Sequence, residues 1–170
     1  QGKSGGDENG ANLRTGNYTN NALNQLTGRG VPGYVDVLGV ALATNPVTVN
    51  GLATYRKGEY FRKELPAANA SSAVWTNITV SSGGTNVSGN RFVAAAGEGF
   101  GFDADGNLTN DGRWVFTWDA ENRLKQVESL ASSPTASKRK VVWEFDAKGR
   151  RIRQTTYDGS GGSYVMTEDL

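Results

Sequence analysis

Apolar residues in this chain fall in short alternating runs rather than in helical stripes. Val47-Thr48-Val49, Glu59-Tyr60-Phe61, Val74-Trp75-Thr76-Asn77-Ile78-Thr79-Val80 and Arg91-Phe92-Val93 are rich in β-branched and aromatic residues, and Gly, Asn and Ser clusters bound them. Trp114-Val115-Phe116-Thr117-Trp118 places three aromatics at every second position, so they share one face while Val115 and Thr117 take the other. No segment sustains a 3.6-residue period over a dozen positions. The pattern predicts an all-β fold of antiparallel hairpins. Residues 1–12 hold a single Ala among Gly, Ser, Asn and charged residues, which predicts a flexible arm. The Ser-rich stretch Ser129 to Ser137, with Pro134, predicts a surface loop.

One seven-residue pattern recurs. It reads Phe102-Asp103-Ala104-Asp105-Gly106-Asn107-Leu108, then Trp118-Asp119-Ala120-Glu121-Asn122-Arg123-Leu124, then Phe145-Asp146-Ala147-Lys148-Gly149-Arg150-Arg151. A decayed fourth copy begins Tyr157-Asp158-Gly159-Ser160-Gly161, and a fifth, Asn20-Asn21-Ala22-Leu23-Asn24-Gln25-Leu26, lacks the aromatic. An aromatic ends a strand, and Asp or Asn opens a turn by accepting backbone N–H groups just ahead. The fifth position is Gly106, Asn122, Gly149, Gly161 or Asn24, the two residue types that best tolerate a left-handed backbone. A type I turn followed by such a residue is a common hairpin connection. Candidate turn residues are therefore Asp103, Gly106, Asp119, Asn122, Asp146 and Gly149, with Phe102, Trp118, Phe145 and Tyr157 as the repeat aromatics.

Over about residues 99–158, and weakly over Tyr18–Leu26, these copies resemble the YD repeats of the bacterial RHS family. The resemblance implies hairpins that spiral into a large hollow β shell, in some members around a toxin. Arg151 stands where the pattern has leucine, a loop separates the second and third copies, and the fourth dissolves into glycine. Between the degenerate and the good copies, Val47-Thr48-Val49-Asn50-Gly51, Phe61, Leu65, Asn69 and Ile78-Thr79-Val80 are similar to the V-x-V-N-G…F…L…N…I-x-V pattern of bacterial Ig-like surface modules. That likeness implies a β-sandwich-type insert with Trp75, Ile78 and Val80 in its core, an irregular excursion from the repeat sheet being the alternative. The expected organisation is a flexible arm at 1–12, a degenerate repeat region at 13–30, an Ig-like insert at 31–97 and repeat hairpins at 98–170.

Composition narrows the chemistry. The chain has 170 residues and neither Cys nor His, which removes disulfides, thiolate nucleophiles and imidazole bases. A net charge of +1 gives no reason to expect nucleic acid as a partner, and no apolar run approaches a membrane-spanning helix. Asp103, Asp105, Asn107 and Asp111 offer oxygens for calcium, but the EF-hand positions for Gly and Glu hold Leu108 and Trp114, so turn chemistry accounts for them. Glu59 with Glu64, or Glu144 with Asp146, show no spacing that marks a glycosidase pair. All four prolines lack a preceding Asp, so the Asp-Pro cleavage site of some RHS proteins is absent. Arg150-Arg151-Ile152-Arg153, near Lys138-Arg139-Lys140, reads as a charged, edge-protecting strand. Asn17, Asn69, Asn77, Asn86 and Asn107 open N-x-Ser/Thr sequons.

These readings predict a structural protein of the bacterial cell surface or extracellular space, with no catalytic residue, cofactor or metal. Its expected partners are adjacent repeats or other copies of itself, joined through strand edges such as Tyr164, Val165, Met166 and Thr167. A carbohydrate-binding module, with Trp75 or with Tyr55 and Tyr60 stacking on sugar, is the alternative, as is a piece of a toxin-enclosing shell.

Overall fold

The structure, a computed structural model, describes residues 2–7 and 10–170. Its described residues form β-strands and a single 3-10 turn, Thr135–Ser137, and the strand pairings are antiparallel. The first sheet holds Gly2–Gly5, Arg14–Asn20, Leu26–Gly30 and Gly97–Gly99, in that spatial order. A seven-stranded meander follows: Gly101–Phe102, Leu108–Asn110, Trp114–Trp118, Leu124–Ser129, Arg139–Phe145, Arg151–Asp158 and Val165–Asp169. Residues 97–102 join the two sheets. Gly97–Gly99 pairs with Leu26–Gly30, the Phe100 N–H donates to the Thr27 carbonyl at 3.1 Å, and Gly101 faces Asn110. One strand order thus continues from Gly2 to Asp169. At its start the structure departs from the expected arm: Gly2–Gly5 pairs with Arg14–Asn17 as an edge strand. Backbone ladder bonds need no apolar side chain, so composition gave no sign of it.

The chain leaves this meander at Gly30 and returns at Gly97. The excursion forms two sheets, one of Val47–Val49, Leu52–Ala53, Val74–Ser82 and Thr85–Val93, the other of Tyr34–Val40, Tyr55–Lys57 and Tyr60–Pro66. Between them Val47, Val49, Phe61 and Leu65 are buried, with Val37, Ala41, Ile78 and Val80 packed around them. Each of the buried Val, Phe and Leu side chains contributes about 1.5–3 kcal/mol by leaving water. Gly39 lies flat under Phe61, where a Cβ would come within 2.6 Å of the ring. Asn50 and Gly51 turn the hairpin with φ of 49° and 76°, the geometry that favours Asn-Gly. Asn50 also ties that turn to the neighbouring strand, accepting from the Thr79 N–H at 2.8 Å. Trp75 is not in this core. It sits out of phase with Ile78 and Val80 along its strand and lines a cleft instead.

The meander is a single layer. Antiparallel pairing sets Phe116 opposite Val127 and Val127 opposite Val141. Directly opposed residues share a face, so these three gather Trp114, Trp118, Trp143 and Phe145 onto one face, all half-buried. Among the described residues, none of the buried apolar side chains lies beyond Ala94.

Candidate functional site: a column of turns at one end of the sheet

The repeat motif builds the same turn four times, at the same end of successive hairpins. In each, the second residue accepts two backbone N–H bonds through one oxygen. Asp103 takes them from Asp105 and Asn107, Asp119 from Glu121 and Arg123, and Asp146 from Lys148 and Arg150, all at 2.8–3.0 Å. Asn21, in the aromatic-free copy, takes them from Leu23 and Gln25 at 2.9 and 3.0 Å. The fifth residue is left-handed in every case: φ is 61° at Asn24, 88° at Gly106, 59° at Asn122 and 74° at Gly149. The strands meet each turn in one register. Asn20 faces Leu26, Phe102 faces Leu108, Trp118 faces Leu124 and Phe145 faces Arg151, each with a bulge immediately before the first of the pair. A bulge adds one residue to one strand and sharpens its local twist.

The sixth position completes the turn, and sequence reading missed it because its identity varies. Asn107 Nδ2 donates to Asp103 at 3.1 Å, while Arg123 Nε donates to Asp119 and Arg150 Nε to Asp146, each at 2.8 Å. Asn21 Nδ2 donates to Gln25 Oε1 at 2.7 Å, the same contact with the donor reversed. A long polar side chain four residues after each Asp or Asn was the available signal. Neighbouring turns also touch. Asn107 Nδ2 donates to Asn122 Oδ1 at 2.7 Å, and the Arg123 guanidinium lies 4.9 Å from the Phe145 ring centroid.

These donors hold the carboxylates charged. The Arg123 backbone N–H lowers the Asp119 pKa most, and the Arg150 backbone N–H does the same for Asp146. Partial burial works against ionisation of Asp103, yet the N–H donors of Asn107, Asp105 and Gly106 together outweigh it and lower its pKa too.

Other expected site residues fall elsewhere. The fourth copy turns at the opposite end of the sheet, where the Gly159 N–H donates to the Lys138 carbonyl at 3.0 Å. Its left-handed residue is Gly162, φ 96°, rather than Gly161. Tyr157 lies on the face opposite the other aromatics, paired with Lys140, whose Nζ is 4.6 Å from its ring centroid. The arginine-rich strand is not an edge. Arg151–Asp158 runs between two neighbours, and Arg153 reaches Asp169 at 2.6 Å on one side and Glu144 at 3.3 Å on the other. The edge is Val165–Asp169, exposed throughout. Val165, Met166 and Thr167 belong to it, but Tyr164 folds inward to 4.7 Å from Lys140 Nζ. Of the sequons, Asn69 is buried and donates to the Ala94 and Val31 carbonyls at 2.8 and 3.1 Å, pinning the root of the excursion. Tyr55 and Tyr60 are exposed on its outer face.

No family model matches the sequence, and no solved structure matches it. Three curated proteins are similar to it. They include the tRNA3(Ser)-specific nuclease WapA of Bacillus spizizenii, 32% identical over 80 residues, and the tRNA nuclease WapA of Bacillus subtilis strain 168, 33% identical over 80 residues. The matched segment is 47% of this chain and 3% of each relative. Each of these relatives is an enzyme by name, which overturns the expectation of a non-enzymatic protein. The substrate in those names also runs against the expectation that nucleic acid plays no part. Among the described residues no helix is long and apolar enough to cross a membrane.

Proposed function

We propose that this chain is a YD-repeat segment of a much larger bacterial tRNA nuclease of the cell surface or extracellular space. The observation that carries the reading is the fourfold column of identical turns, which supports reading residues 13–30 and 98–170 as one repeat sheet. Among the described residues the sheet is open on both sides: Gly2–Gly5 and Val165–Asp169 each pair with one neighbour only. Free N–H and C=O groups on such strands accept further strands, and the half-buried aromatic face awaits cover from the rest of the protein. The names of the relatives support assigning tRNA cleavage to the whole protein of which this segment forms part.

Two measurements test this. Purified tRNA incubated with the parent protein yields fragments, and intact tRNA at micromolar enzyme removes the nuclease reading. Taken alone, the 170-residue chain pairs its bare edges with other copies and sediments faster as its concentration rises. Met166→Lys on the outer strand weakens that association, since a lysine on an edge opposes strand addition. A chain that stays monomeric at all concentrations removes the open-edge reading.

A further inference from the structure

We infer that the cleft between the excursion and the repeat sheet binds an acidic sugar polymer, with its carboxylates held by Arg91 and Arg113 and its rings against Trp75 and Trp114. The cleft has a volume of about 880 Å³ and takes walls from both regions, Arg29, Glu98, Arg113 and Trp114 from the repeat strands and Trp75, Arg91 and residues 34–38 from the two sheets of the excursion. Small-ligand sites occupy about 300–1,000 Å³.

Its charges are arranged unevenly. Arg29 is matched by Glu98 in an ion pair at 2.5 Å. Arg91 and Arg113 have no such partner: among the described residues, neither makes an ion pair or a side-chain hydrogen bond. The Arg113 guanidinium lies 4.7 Å from the Phe92 ring centroid and 4.6 Å from that of Trp114, and its buried Nε has no acceptor. Asp111 is the adjacent carboxylate, but its Oδ1 already accepts the backbone N–H groups of Arg113 and Trp114, both at 2.7 Å. Burial, then the charge of Arg91, lower the Arg113 pKa. The charge of exposed Arg91 adds to that of partly buried Arg113, and an anion beside both relieves the repulsion.

The rest of the lining selects the kind of anion. Trp75, Phe92 and Trp114 offer flat apolar surface for a ring. Glu98 and Asp111 add carboxylate acceptors for ring hydroxyl groups, which a sugar polymer carries on every residue. A uronate polymer supplies both hydroxyls and spaced carboxylates.

Titration calorimetry of the full 170-residue chain with octagalacturonate tests the inference, with a neutral maltooligosaccharide and single-stranded RNA as comparison ligands. Arg91 is exposed, so Arg91→Gln leaves the fold intact where Arg113→Gln disturbs ring packing. Octagalacturonate binds, and Arg91→Gln weakens it about tenfold or more, as expected for loss of a charge-assisted bond. Trp75→Ala weakens it as well, while Lys148→Gln, remote at the turn column, changes nothing. Absent octagalacturonate binding, an equal affinity for the neutral sugar, or indifference to Arg91→Gln overturns the assignment. Tighter, Arg91-dependent binding of RNA overturns it too. The nuclease reading stands or falls separately, on cleavage by the parent protein.

Discussion

The excursion and the repeat sheet are built from the same kind of strand, yet they keep their apolar side chains in different places. In the excursion two sheets face each other, and Val49 and Phe61 leave water almost completely. In the meander one layer carries four large aromatics from Trp114 to Trp143 on a single face, and each stays partly exposed. Alternation gives both regions an apolar face; only the excursion supplies a second face to close on. Its stability is therefore local and comes from packing. That of the meander is spread along its ladder and its turns, so it gains most from what lies beyond its edges.

Four changes sharpen or break this contrast. Phe61→Ala costs about 3–5 kcal/mol, as for a buried aromatic. Hydrogen exchange shows the loss confined to residues 34–93, and equal loss of protection in residues 114–158 breaks the contrast. Gly149→Val, at a left-handed position, costs on the order of 1–2 kcal/mol, whereas Gly161→Val, with open space around it and no positive φ, costs almost nothing. Thermal unfolding separates the two, and equal effects refute the turn column. Phe116→Ala costs less than Phe61→Ala, about 1–2 kcal/mol, because its ring is only partly buried. A penalty matching that of Phe61→Ala means that the face is covered in solution.

The smallest effect is electrostatic. The Asp119 and Asp146 carboxyls lie below their ordinary value of 3.8, so the stability they give is complete above that pH and is lost as pH falls through the lower, folded values. The amide shifts of Arg123 and Arg150 titrate with midpoints under 3.8. Midpoints at or above that value mean the N–H donors do not hold the charged form.

The all-β class was legible because alternation and turn residues are local signals. So was left-handedness at Gly106, Asn122 and Gly149, which share one place in a repeated motif. What escaped was nonlocal or chemically disguised. Tyr157-Asp158 matches the motif, but which end of the sheet a turn occupies depends on how many strands precede it. Arg151–Asp158 looked like an edge because four residues of sequence carry no news of the strand Val165–Asp169 beside them. Gly2–Gly5 pairs through its backbone alone. The sixth turn position hid behind three residue types, Gln, Asn and Arg, that make one contact. The Arg91–Arg113 cleft draws on residues far apart in the chain, from the repeat strands and from both sheets of the excursion, and had no sequence signature.

The root of the excursion has a mechanical consequence. Its two ends sit side by side, with the Val31 N–H donating to the Ala96 carbonyl at 2.9 Å and Gly28–Gly30 laddered to Gly97–Gly99. A tension applied along the chain through the two ends of the meander passes across that short ladder and bypasses the 65 or so residues beyond it. The excursion stays slack until the ladder shears. Pulling on single molecules then yields a sequence of events: repeat hairpins and the root ladder give way first, and the packed excursion, loaded last, releases its length in one separate step.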